Sequence, residues 1–322
     1  MFIAVGHGGA GSKPEIHLEG VKKAVQRSRE ILEKGGSALD AAVAGVVEME
    51  DDPIFNAGKG SYLDLSGEMS MDAGIMTDDG RIGAVADVRL VKNPVLLARK
   101  VLDSPHVILA GTGAEKMAEI WGLEFASPLT KKALMKLAER RNQVAKREIP
   151  PWARPLGWEE FLDRKELPAY MASPLPAKKN EKSDTPEKGI GVEKGREKNG
   201  ETGDTVGVVC LDTNGNMAAA GSTGGTSLKL PGRVGDTPIP GAGFYAGKHG
   251  AVVATGVGEE IIKRFTCLRI YEMLSEGVPS QEACEKAVAM FPAEVDVGVI
   301  AVTPGGWGAA SNTNMAWWVE EG

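Results

Sequence analysis

The sequence predicts an α+β fold in which two β-sheets pack face to face and helices cover them from outside. Three observations carry this. The strand-like runs are apolar on both faces, the helical runs come in pairs, and strands cluster beside helices with no internal repeat. Only packed sheets under an outer helical cover would bury all of that surface.

Residues 1–5 read as a buried strand entering the glycine loop His7-Gly-Gly-Ala-Gly11. Ile16, Val21, Val25 and Ile31 or Leu32 follow at helical spacing. Gly35-Gly36 stop that helix, and Ser37 caps the next, whose Ala/Val-rich residues 38–49 must be buried nearly all round. Short runs at 68–72 and 82–86, broken by Ser-Gly and Asp-Asp-Gly, predict antiparallel hairpins. Helices are expected at 94–102 and 131–147, after which six prolines (150, 151, 155, 168, 174 and 176) interrupt regular structure. A hairpin of two buried strands is predicted at 205–212 and 216–222 around Asn214-Gly215. Beyond it come a strand at 250–255, helices at 259–274 and 280–290, and strands at 296–303 and 315–319.

Composition narrows the function. With 322 residues, 42% hydrophobic and 25% charged, the chain has ample material for a globular core. A net charge of -7 provides no positive field for a nucleic-acid backbone. No apolar run is long enough to span a membrane, and the N-terminus lacks the pattern of an export signal. The three scattered cysteines, Cys210, Cys267 and Cys284, fit neither a disulfide framework nor a zinc pattern, so reduced thiols in the cytoplasm are expected.

One junction stands out. Of the 27 residues from 178 to 204, 14 are charged, and Ile190 and Val192 are the only aliphatic side chains, so the tract is expected to be a disordered linker. It ends at Gly203-Asp204-Thr205-Val-Gly207, where a buried strand begins on a hydroxyl residue. The bland reading is a linker entering a strand. The chemical reading is that Thr205 becomes a nucleophile once cleavage frees its own α-amine, whose reference pKa of about 7.7 to 8.0 lets it serve as the base.

Further motifs surround that junction. They are Asp52-Pro-Ile-Phe-Asn-Ala-Gly58, Ser222-Thr-Gly-Gly225, Gly232-Arg-Val-Gly-Asp-Thr-Pro238, Gly241-Ala-Gly-Phe-Tyr-Ala246 and Ala254-Thr-Gly-Val-Gly-Glu259. With the first glycine loop, these runs resemble the plant-type L-asparaginase and isoaspartyl peptidase family of N-terminal nucleophile (Ntn) hydrolases over most of the chain outside 148–203. The resemblance implies a four-layer αββα sandwich, made as one precursor that cleaves itself between Asp204 and Thr205. Residues 1–204 would form an α subunit and 205–322 a β subunit within one domain, pairing into an (αβ)₂ dimer.

It further implies that Thr205 attacks the side-chain amide of L-asparagine or a β-aspartyl dipeptide, giving a β-aspartyl enzyme ester that water hydrolyses. Thr223 would orient the nucleophile, and Thr255 Oγ with the Gly256 N–H would bind the oxyanion. Asn56 would lie beside them, although a turn residue is an equal reading of Phe-Asn-Ala-Gly by itself. Arg233 would grip the substrate α-carboxylate and Asp236 its ammonium, with Gly256 and Gly258 lining the same pocket. No catalytic cofactor is implied. A structural sodium ion would be wrapped by the carbonyls of Met49, Glu50, Asp52, Phe55, Ala57 and Lys59. His7 is read as structural.

The run Thr226-Ser-Leu-Lys-Leu-Pro231 and Gly221 depart from the family pattern at positions that bear on substrate preference. Two alternatives stay open: a glycosylasparaginase-like amidase, and a non-processing homologue that binds amino acids with Thr205 kept internal.

Overall fold

The computed structural model describes residues 1–127, 129–164, 167–173 and 205–322. The charged tract 178–204, with Asp204, lies outside them.

Two sheets form the centre. The larger contains β1 (Ile3–Ala10), β2 (Met71–Thr77), β3 (Ile82–Val88), β4 (Ile108–Ala110), β5 (Val206–Leu211), β6 (Met217–Thr223) and β11 (Met315–Glu321), in the order β11-β1-β5-β6-β2-β3-β4. The smaller contains β7 (Phe244–Gly247), β8 (Gly250–Gly256), β9 (Val297–Thr303) and β10 (Gly306–Ser311), in the order β10-β9-β8-β7. All pairings are antiparallel except β3 with β4.

The period-two rule explains why these strands are apolar on both faces. In β5, Val206, Val208 and Cys210 point out to a helical layer, whereas Val209 and Leu211 point in toward the other sheet. Ile3, Val5, Met217, Phe244, Val253 and Ile300 join them in the core between the sheets. Outside the large sheet lie α1 (Pro14–Glu33), α2 (Ala38–Asp51) and α3 (Pro94–Leu102); outside the small one lie α8 (Thr266–Ser275) and α9 (Ser280–Val288). This is the expected four-layer αββα arrangement.

Local chemistry accounts for the helix ends. Ser37 caps α2 by accepting the Asp40 N–H at 3.1 Å, and prolines open α1 and α3. Several boundaries differ from expectation. The first glycine loop continues β1 through Ala10, because His7 stays paired with β5 and β11 and Ala10 pairs with β11 across a register shift. The 68–72 run enters its strand only at Met71. The helix expected over 259–274 is two, α7 (Gly258–Arg264) and α8, broken at Phe265, which adopts a left-handed φ of 48°.

Four further elements lacked a clear pattern: β4, β7, β10 and α4 (Gly111–Ile120). The proline-rich region holds a 3₁₀ turn, Pro151–Leu156, and a short α6 (Trp158–Asp163), beyond α5 (Lys131–Lys146). Here the prolines open and punctuate short turns instead of preventing them.

Both halves of the chain interleave, since β5 lies between β1 and β6 and β6 pairs with β2. Residues 2 and 322 are joined by reciprocal backbone hydrogen bonds of 2.6 and 3.1 Å. The sheets approach closely at Gly74, where an added Cβ would lie 2.2 Å from the Phe244 ring and 2.6 Å from Thr237 O. Gly74→Ala is therefore expected to cost about 1–3 kcal/mol by overpacking, measured as a lower denaturation midpoint at unchanged slope.

Candidate active site

The site lies where β5 and β6 end beside β8. Thr205 directly precedes β5, on the strand face shared by Val209 and Leu211, and its Oγ1 is 3.0 Å from Thr223 Oγ1. The Thr223 hydroxyl also accepts the Gly225 N–H at 3.0 Å, so its proton is free to point at Thr205. Both threonines are buried, at 7% and 2% exposure. The cleft over them, with about 330 Å³ of empty volume, is lined by Thr205, Thr223, Arg233, Asp236, Gly256 and Gly258, with Gly225, Thr226, Val257 and Glu259.

Asn56 lies below the cleft as a brace. Its Nδ2 donates to Gly225 O, its Oδ1 accepts the Tyr62 N–H at 2.8 Å, and its own carbonyl accepts the Gly224 N–H at 2.7 Å. Thr255 is fully buried outside the cleft lining, its Oγ1 accepting the Ala10 N–H at 3.1 Å. Gly256 at the rim has φ 138°, and a Cβ there would meet Asp296 O at 2.2 Å. Gly258 allows Arg233 and Asp236 to crowd its α-carbon, since a Cβ would lie 2.8 Å from the guanidinium and 2.7 Å from the carboxylate.

The charges in this cleft are unequal. Arg233 is held by Glu259 through two parallel bonds of 2.9 Å, from Nε and Nη2. Burial disfavours ionisation of both partners, but their attraction outweighs it: Glu259 lies below the usual carboxylate range and Arg233 is firmly charged. Asp236 is different. Burial lifts it to about 7 against the pull of Arg233, and its Oδ2 has no hydrogen-bond partner among the described residues. An unpartnered buried carboxylate beside a guanidinium suits an incoming ammonium.

Three participants were not anticipated. Glu259 stood in a quoted motif without a role. Lys229 is buried, donating to Ser70 O at 2.6 Å and to Gly224 O; burial lowers it to about 8 while Asp72 opposes the shift. Asp72 is buried too, accepting the Asp87 N–H at 2.9 Å and the Gly235 N–H at 3.3 Å. An Asx-type or strand-edge pattern would not reveal them, because their partners are remote in sequence.

His7 is fully buried and kept neutral by burial, at about 3, with Nδ1 accepting the Gly9 N–H at 3.2 Å. That fits the structural reading. The loop after α2 turns tightly, Phe55 N–H bonding Asp52 O and Gly60 N–H bonding Ala57 O. Pro53 has no N–H to offer the Met49 carbonyl, and the Ile54 N–H goes to Asp52 Oδ1 instead of Glu50 O.

A layered αββα body with this cleft at the sheet ends defines a hydrolase class. The chain belongs to the asparaginase family, whose model, described as Asparaginase, matches residues 2–321. It is 37% identical to the isoaspartyl peptidase/L-asparaginase of Danio rerio, over 98% of this chain and 91% of that protein. The plant-type L-asparaginase of Pyrococcus horikoshii is 36% identical, covering 97% and 94%, and the isoaspartyl peptidase/L-asparaginase of Mus musculus 35%, covering 98% and 87%.

Glu50, fully buried at the end of α2, is lifted by burial from 4.5 to about 8, with Oε1 accepting the Val95 N–H at 3.0 Å. A carboxyl whose folded pKa is raised favours folding below its unfolded value, and that advantage is lost as pH climbs through the folded one. Glu50→Gln removes this dependence. The Tm of the variant relative to wild type is therefore expected to rise between pH 4.5 and about 8 and level off above, as measured by thermal denaturation across pH.

Proposed function

We propose that this protein hydrolyses the side-chain amide of L-asparagine and of β-aspartyl dipeptides, after cleaving its own backbone before Thr205. The observation that carries the reading is one cleft holding a hydroxyl oriented by a second hydroxyl, a fixed guanidinium and a carboxylate with one oxygen unpartnered among the described residues. The relatives' names, asparaginase and isoaspartyl peptidase, support it.

Maturation begins when Thr205 Oγ attacks the Asp204 carbonyl, and collapse of that adduct moves the acyl group from nitrogen to oxygen and frees the Thr205 amine; water then hydrolyses the ester, releasing the Asp204 carboxylate and restoring the Thr205 hydroxyl. In turnover that amine takes the hydroxyl proton as Oγ attacks the substrate β-carbonyl, and returns it to the leaving nitrogen. The Gly256 N–H, in the cleft wall, is the oxyanion donor, joined by the Thr255 hydroxyl if its proton turns into the cleft from behind that wall while Oγ1 keeps the Ala10 N–H; Thr223 aligns the nucleophile, and water resolves the β-aspartyl ester. Arg233 receives the α-carboxylate and Asp236 the α-ammonium. L-Asparagine and β-aspartyl dipeptides share both groups, so one pocket serves them.

The loop carbonyls of Met49, Glu50, Asp52, Phe55, Ala57 and Lys59 are proposed to wrap a sodium ion, the Met49 and Glu50 oxygens being supported by the lost helical donors. Cleaved heterodimers are proposed to pair as (αβ)₂. A cytoplasmic setting is consistent with three buried free cysteines, and no helix among the described residues is long and apolar enough to cross a membrane.

Thr205→Ala should abolish both self-cleavage and ammonia release, read by intact mass and an asparagine assay; two fragments from the variant would refute the assignment. Arg233→Ala should still mature while KM for asparagine rises at least tenfold. Because Asp236 must be ionised to hold the ammonium, kcat/KM should fall as pH drops below about 7. A pH–rate series checks it: wild type should show a steeper acid limb than Asp236→Asn, which keeps only the limb set by protonation of the Thr205 amine, and equal slopes would overturn the role of Asp236.

A further inference from the structure

The catalytic cleft holds one polar group to which the reaction gives no task. Of the residues lining it, only Asp236 and Thr226 carry a buried side-chain oxygen that has no hydrogen-bond partner among the described residues. Asp236 is assigned to the ammonium. Thr226 Oγ1 is unassigned, and Thr226 opens the run in which this chain departs from its family's pattern. A buried hydroxyl left unbonded bears a desolvation cost that a partner in the cleft would relieve.

Thr226 is held from both sides. The Gly225 N–H donates to Thr223 Oγ1 at 3.0 Å, and the Gly225 carbonyl accepts Asn56 Nδ2. Beyond Thr226, Ser227 Oγ accepts Nε of the buried Arg140 at 2.9 Å. The backbone beneath the hydroxyl is thus fixed before any ligand arrives. It also stands at the cationic end of the cleft. Thr226, Arg233 and Glu259 line the neighbouring concavity as well, whereas Thr205 and Asp236 line the cleft alone. A Cβ on Gly225 would lie 3.4 Å from Arg233 Nη1, so the guanidinium reaches the residue directly before Thr226.

Glu259 takes the Nε and Nη2 edge of Arg233, and Nη1 makes no hydrogen bond among the described residues. A substrate carboxylate must therefore meet the guanidinium end-on, at Nη1 and the remaining Nη2 proton. That leaves each of its oxygens with a lone pair still to be filled. A hydroxyl beside the guanidinium supplies a further donor. We propose that Thr226 Oγ1 donates a hydrogen bond to the substrate α-carboxylate alongside Arg233, and so selects amides that carry this group. The assignment rests on the catalytic reading above and extends it to specificity: Arg233 supplies the charge, and Thr226 fixes the tilt of the carboxylate against it.

Calorimetric titration of the processed protein with L-aspartate, which carries the same two charged groups as asparagine, measures the contact without turnover. A hydrogen bond to a charged group predicts a Kd raised roughly ten- to a hundredfold in Thr226→Val, with Thr226→Ser restoring most of the affinity. KM for asparagine should rise in step. Inhibition by β-alaninamide, which keeps the ammonium and the amide but lacks the α-carboxylate, should not change. Thr226→Ala takes the place of the valine variant where valine blocks maturation. An unchanged aspartate Kd in the variant, or equal weakening of aspartate and β-alaninamide, overturns the contact while leaving the amidase reading standing. Wild type that binds aspartate but hydrolyses no asparagine overturns the amidase reading, and the variant's aspartate Kd still decides the contact. Failure both to bind aspartate and to hydrolyse asparagine overturns both.

Discussion

Everything at the site depends on where β5 lies. It is an inner strand of the seven-stranded sheet, paired with β1 on one side and β6 on the other, so the position of its first residues is fixed from both flanks. Val206, Val208 and Cys210 anchor it outward, and Val209 and Leu211 inward. A hydroxyl at the head of such a strand has little freedom to drift, which is what a nucleophile aimed at one carbonyl requires. The strands flanking β5 hold it laterally, so backbone scission before Thr205 removes no sheet pairing.

Around that fixed point the charges are arranged by burial. Glu259 satisfies two donors of Arg233 and so fixes the guanidinium plane before any ligand arrives. Asp236, left with an unpartnered oxygen, carries the desolvation cost that an ammonium would relieve. Lys229 and Asp72 lie behind them, tied mostly to backbone groups: the lysine fixes the Gly224 carbonyl, and the aspartate accepts N–H groups from Asp87 and Gly235. Preorganisation of this kind is paid for in folding, by clustering like and unlike charges away from water.

Much of this was legible in the sequence, for identifiable reasons. The bounds of α3 follow from Pro94 and its apolar spacing, and the Asn214-Gly215 hairpin from turn chemistry. The two-sided apolarity of β5 and β6 announced a strand with layers on both faces. What stayed hidden depends on tertiary context. Phe265 breaks a helix with no glycine or proline to mark it, and β7 and β10 are short strands that acquire identity only by pairing with β8 and β9. Thr205, Thr223, Arg233 and Asp236 could be found because motifs carried them into one cleft. Lys229, Asp72 and Glu259 could not, since their importance lies in whom they meet.

The reciprocal bonds between residues 2 and 322 bring the two ends of the chain together far along the polypeptide from the Thr205 junction. A gene rewired to start at Thr205, bridge Gly322 to Met1 and finish before the charged tract would encode the same sheets in a new order. On removal of its initiator methionine, such a permutant would carry the threonine amine from birth. The maturation and turnover proposed for one side chain could then be studied apart.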